Sequence, residues 1–197
     1  FQHAYKIRAR ILGTESINKA AMQFNFGQAN HHSGNLDQDM EAYTDFLRVA
    51  RIHFRSKHRD VCAVQRAMAQ IHCQRGELDK SIALLHKAFD QGCGALGSHA
   101  NEVSCILTDL GNLYAEIKDY EKALDCFVRF LKIQEQVKSD NPLHSNILIT
   151  KINIARVYKH CNNYSCALKY YKDVHQMQIK LYGPSHIEIA FTLSSMG

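Results

Sequence analysis

The twelve histidines and seven cysteines of this 197-residue chain are its repertoire for metal binding and nucleophilic chemistry. His31 and His32 are adjacent, and adjacent helical side chains do not face one site. No Cys, His, Asp or Glu stands three or four positions from His31 in either direction, so a shared metal is not built there. His160, Cys161 and Cys166 cross an interhelical turn and supply too few ligands for a metal site. The cysteines at 62, 73, 93, 105, 126, 161 and 166 are scattered and odd in number. Most fall on apolar helical faces, where a thiol packs as a small hydrophobe. The glycines of QGCGALG follow a helix rather than a strand, which removes the context a phosphate-binding loop needs. No GxSxG, HExxH or Walker pattern occurs. These readings exclude an evident enzyme, metal site or cofactor.

Charge and composition narrow the classes further. The formal charge is +5, which mildly favours acidic partners. Its basic stretches are short: Lys6, Arg8 and Arg10, then Arg55, Lys57, His58 and Arg59. The first is too short for an interfacial helix, and the second is not interleaved with aromatics as a single-strand platform would be, so solvated ends and turns are the expectation. The apolar runs fall short of the ~18–20 residues of a spanning helix, and no secretory leader opens the chain. Scattered cysteines suit a reducing, cytoplasmic setting. The chain opens on Phe1 inside a helical pattern, so a fragment of a longer protein is expected.

The elements that would position any site are helices. Asp109 to Phe130, DLGNLYAEIKDYEKALDCFVRF, reads as two amphipathic segments around a polar turn at Lys118-Asp119. Further helices are expected over Leu36–Phe54, Val61–Arg75, Leu78–Phe89, Leu143–His160 and Ser165–Leu181, with another over 186–197. Residues 92–97 are expected to form the most flexible linker, and Gly183-Pro184 another break. Ser98 is a candidate helix cap, and Pro142 suits a first helical turn.

These segments repeat. Gly27, Ala69, Gly111, Ala155 and Gly197 are small residues at intervals of 42, 42, 44 and 42. Seven positions after the first four come the turns at Gly34, Gly76, Lys118 and Asn162. Such a period signals a solenoid in which no hairpin can bury its apolar face alone.

The register resembles the tetratricopeptide repeat, in the 42-residue form of kinesin light chain and related proteins. Leu110, Gly111, Tyr114, Ala123, Phe127 and Phe130 carry the match, followed by Ile154, Ala155, Tyr158, Ala167, Tyr171 and Val174. Asp39 departs, standing where the pattern has a small packing residue. The resemblance implies an all-α, right-handed superhelical solenoid of antiparallel helix pairs. It spans residues 1–197 as one domain, with about four full repeats and a partial helix at each end.

The resemblance also implies that the first helix of each repeat lines a concave groove. The groove residues would be Phe24, Asn25 and Gln28 with His31 and His32, then Arg66 and Gln70 with Cys73 and Gln74. The third repeat would give Thr108, Asp109, Asn112 and Glu116; the fourth, Ile152, Asn153, Arg156, Lys159 and His160. Amides pair with a peptide backbone, and arginines hold carboxylates. The expected function is therefore a non-enzymatic adaptor binding a linear acidic peptide. The alternatives are a scaffold that packs into a larger assembly through its convex face or ends, and a nucleic-acid adaptor.

Overall fold

The computed structural model describes residues 36–53, 59–96, 101–136, 145–184 and 186–196. Among them are eight helices: α1 (Leu36–His53), α2 (Arg59–Gln74), α3 (Leu78–Leu96), α4 (Asn101–Glu116), α5 (Tyr120–Gln136), α6 (Ser145–His160), α7 (Tyr164–Tyr182) and α8 (Ile187–Met196). The chain is an all-α repeat solenoid made of helix pairs.

The turns within α2/α3, α4/α5 and α6/α7 are the same structure built from different residues. Gly76, Lys118 and Asn162 take the left-handed conformation, with φ of 74°, 64° and 57°. At each, this residue's N–H reaches the carbonyl three positions back, and the next N–H reaches five back. For the middle turn these bonds are Lys118 N to Ala115 O at 3.1 Å and Asp119 N to Tyr114 O at 2.8 Å. This double closure satisfies carbonyls orphaned at the helix end. In the second and third turns the following residue then caps the next helix. Asp119 Oδ1 accepts from Lys122 N, and the Asn163 side chain accepts from Cys166 N at 3.2 Å.

The described residues form two compact units, divided between Ile106 and Leu107. In the first unit, Tyr43, Phe46, Val49 and Ala50 of α1 pack with Val61, Val64 and Ile71 of α2. Arg75 Nη2 donates to Asp37 Oδ1 at 2.5 Å. Within α2/α3, Ala69 and Leu85 are both buried, and Ser81 Oγ donates to the Ala69 carbonyl at 2.7 Å. Asp39, in the register position of Ser81, is fully buried. The Tyr43 phenol is pushed up to about 12, first by burial and then by the Asp39 carboxylate.

In the second unit, Gly111 meets Phe127 so closely that an added Cβ would lie 2.5 Å from the Phe127 ring. The register-equivalent Ala155 packs with Ala167 and Tyr171 across α6/α7, joined by Met196 of α8. A Lys151–Asp173 ion pair also links α6 to α7. The Gln178 side chain donates from Nε2 to the Glu188 carbonyl at 3.3 Å, tying α7 to α8.

One expectation is corrected. The glycine-rich stretch at 92–97 does not start a linker at Gly92: α3 runs through it to Leu96. Gly92 is buried, and a Cβ there would lie 3.1 Å from Val103 Cγ2. A side chain at this position would crowd Val103, so glycine stands inside the helix despite its ~1 kcal/mol helix penalty. Gly34, Gly97, Ser98 and Pro142 lie outside the described residues, as does His31-His32.

Candidate functional site

The α4 and α6 first helices of two successive repeats place their polar positions around one cleft in the second unit. Its volume is about 460 Å³, and its walls are Asn112, Ala115 and Glu116 of α4 with Asn153, Arg156, Val157 and His160 of α6. Phe127 of α5 closes it from behind. Helical spacing explains the grouping: Asn112 and Glu116 are four apart, as are Arg156 and His160, with Asn153 three before Arg156. The core-facing positions between them, Leu113, Ile154 and Ala155, are buried. The cleft thus has an apolar floor of Phe127 and Val157 beneath a polar rim.

At one end of the rim, Asn153 Nδ2 donates to Asn112 Oδ1 at 2.9 Å. That bond orients both amides and leaves the Asn112 amino group as donor and the Asn153 oxygen as acceptor. At the other end, the His160 ring stacks on Tyr120, with centroids 5.9 Å apart and planes within 2°. Beneath Arg156, burial pushes the Tyr171 phenol up, opposed by the Arg156 charge and a hydrogen bond with Ser195.

Of the residues expected along the groove, Asn112, Glu116, Asn153, Arg156 and His160 meet in this cleft. Lys159 is exposed and donates to the Ser195 carbonyl of α8 at 3.4 Å. Ile152 is half-buried against the Ala155, Ala167 and Tyr171 cluster, which takes up part of its apolar surface. Thr108 and Asp109 lie earlier on α4 and are half-buried. Arg66 and Gln70 are half-buried on α2, in the first unit. Phe24, Asn25 and Gln28 lie outside the described residues.

The sequence reading did not anticipate Ala115, Val157 and Phe127 as walls, or the Tyr120–His160 stack. Phe127 signals only core packing in the pattern, and nothing in the spacing of Tyr120 and His160 shows that their rings meet. Among the described residues no group of three or more His, Cys, Asp or Glu side chains could hold a metal ion. No described helix is long and apolar enough to cross a membrane.

Two tetratricopeptide repeat family models match the chain, over residues 60–136 and 148–188. No curated protein sequence matches at a significant level. Among solved structures, BtubC (BKLC) from P. vanneervenii superposes with a TM-score of 0.83 at 18% identity, covering 94% of this chain and 74% of its own. A candidate kinesin light chain of Podosopora anserina, with nearly identical TPR-like repeats, gives 0.75 at 18% identity, covering 93% and 86%. RapI in its apo form gives 0.75 at 19%, covering 90% and 63%. At these identities the likeness shows the fold alone. With the two family models and the recurring turns, it makes this chain a tetratricopeptide-type repeat protein, a helical solenoid resembling kinesin light chain and related repeat proteins.

Proposed function

We propose that this chain is a protein-interaction module and that the α4–α6 cleft holds a linear, carboxylate-bearing peptide. The observation that carries the reading is the Asn112–Asn153 amide pair beside the exposed Arg156. The amides offer one donor and one acceptor to a peptide backbone, and Arg156 offers a fork to a carboxylate. The apolar floor gives a neighbouring side chain a place to leave water. No reaction is assigned to the site; binding is its whole chemistry. The odd, scattered cysteines suit a reducing cytoplasmic setting.

The test is binding of an acidic peptide library to the wild type and to Asn153→Ala/Arg156→Glu, with helicity checked by circular dichroism. The proposal expects at least a tenfold loss in the double variant. Undiminished binding by a folded double variant sinks the assignment.

A second reading, packing into a larger assembly, is favoured by α8. Ile187 and Phe191, four apart on one side of that helix, are 67% and 64% exposed, and exposed apolar residues that adjoin one another mark contact surfaces. Light scattering after size exclusion distinguishes the two: peptide-independent oligomers support assembly, and a monomer that binds peptide supports the cleft.

A further inference from the structure

The two helices that wall the cleft carry opposite charge. The α4 sequence holds Glu102, Asp109 and Glu116 and no lysine or arginine; α6 holds Lys151, Arg156 and Lys159 and no acid. Two of the α6 cations are already engaged, Lys151 with Asp173 and Lys159 with the Ser195 carbonyl. That leaves Glu116 on one wall and Arg156 on the other, both exposed and both lining the same cleft. Among the described residues neither takes part in a salt bridge.

Opposite charges that line one cleft without pairing are each open to a ligand group of the opposite sign. An all-acidic ligand answers Arg156 and is repelled by Glu116; an all-basic one does the reverse. In an extended peptide, successive side chains point to opposite sides. A strand running along the cleft therefore sends one residue toward α4 and the next toward α6. We propose that the cleft selects an extended peptide in which an acidic residue is followed or preceded directly by a basic one. The acid pairs with Arg156, the base pairs with Glu116, and the Asn112–Asn153 amides hold the backbone between them. This inference rests on the peptide-cleft reading and narrows its ligand from acidic to charge-alternating.

The experiment uses the whole chain and three fluorescent peptides of equal length in an anisotropy titration. One alternates Glu and Lys and ends in two glycines, one holds the same residues as a Glu block and a Lys block parted by those two glycines so that no acid adjoins a base, and one is all Glu. The alternating peptide is expected to bind about three- to fivefold tighter than the block peptide, the scale of exposed ion pairs. Glu116→Gln should erase that advantage and strengthen binding of the all-Glu peptide; Arg156→Gln should weaken both the alternating and the all-Glu peptides. Equal affinity for alternating and block peptides, or a Glu116→Gln variant that keeps the preference, overturns the inference. If the all-Glu peptide binds tightest and depends only on Arg156, charge alternation falls while the peptide cleft stands. If no peptide binds, both fall together.

Discussion

Gly111 shows how one residue sets the spacing of a hairpin. A methyl group at Gly111 would come within 2.5 Å of Phe127 Cε1 and 2.8 Å of Cδ1 and Cζ. Phe127 is fully buried, so its ring has little room to retreat. Gly111→Ala is expected to destabilise the chain by about 1–3 kcal/mol in denaturant unfolding, the cost of overpacking. In the α2/α3 hairpin the equivalent pair is Ala69 with Leu85, both buried. Phe127→Leu should accordingly recover part of the loss, read as a coupling energy in a double-mutant cycle. Ala155 faces Tyr171 in the α6/α7 hairpin, so alanine and an aromatic ring are not incompatible in themselves. The placement of the Phe127 ring makes the difference.

Tyr43 carries a pH prediction at the same scale. Its folded pKa of about 12 lies above the ordinary value of 10.0. Below pH 10 both folded and unfolded chains keep the proton, and stability is unaffected by this group. Between pH 10 and 12 the unfolded chain ionises first, so stability falls as pH rises. The full loss is about 2–3 kcal/mol from this phenol. Tyr43→Phe should flatten that alkaline decline, measured by urea unfolding across the window. An unchanged slope would contradict the burial assigned to Tyr43.

At the scale of elements, the turns were the most legible part of the sequence. Gly76, Lys118 and Asn162 share a register, and the structure gives them one conformation and one bonding pattern. Lysine is poorly suited to positive φ because its Cβ crowds the backbone. Lys118→Gly should therefore stabilise by about 0.5–1 kcal/mol and raise the melting temperature, whereas Gly76→Ala should lower it by a similar amount. The glycines at 92–97 misled for the opposite reason. Local propensity reads them as a break, but a buried contact of Gly92 with Val103 depends on residues distant in sequence. The cleft was half legible on the same grounds. Asn112, Glu116, Asn153, Arg156 and His160 follow from the first-helix register, while Phe127 belongs to a second helix and serves both core and cleft floor.

Across the whole molecule, burial orders the reactivity of the thiols. Cys161 is exposed, whereas Cys62 and Cys126 are buried. Burial pushes the Cys62 thiol up and carries Cys126 up to about 11, so both hold little thiolate near neutrality. Timed alkylation followed by peptide mass spectrometry should label Cys161 first and Cys62 and Cys126 last. Early labelling of Cys126 in the folded chain would contradict the packing of α5.

The cleft between α4 and α6 is the central claim, and the most direct measurement is where a bound peptide touches the protein. An acidic peptide carrying a photo-reactive group, crosslinked to the full chain and mapped by mass spectrometry, should mark residues 112–116 and 153–160. Excess unlabelled peptide should suppress those adducts, as should Asn153→Ala/Arg156→Glu. Competable adducts confined to other segments, such as α8, with 112–116 and 153–160 unmarked, would contradict it.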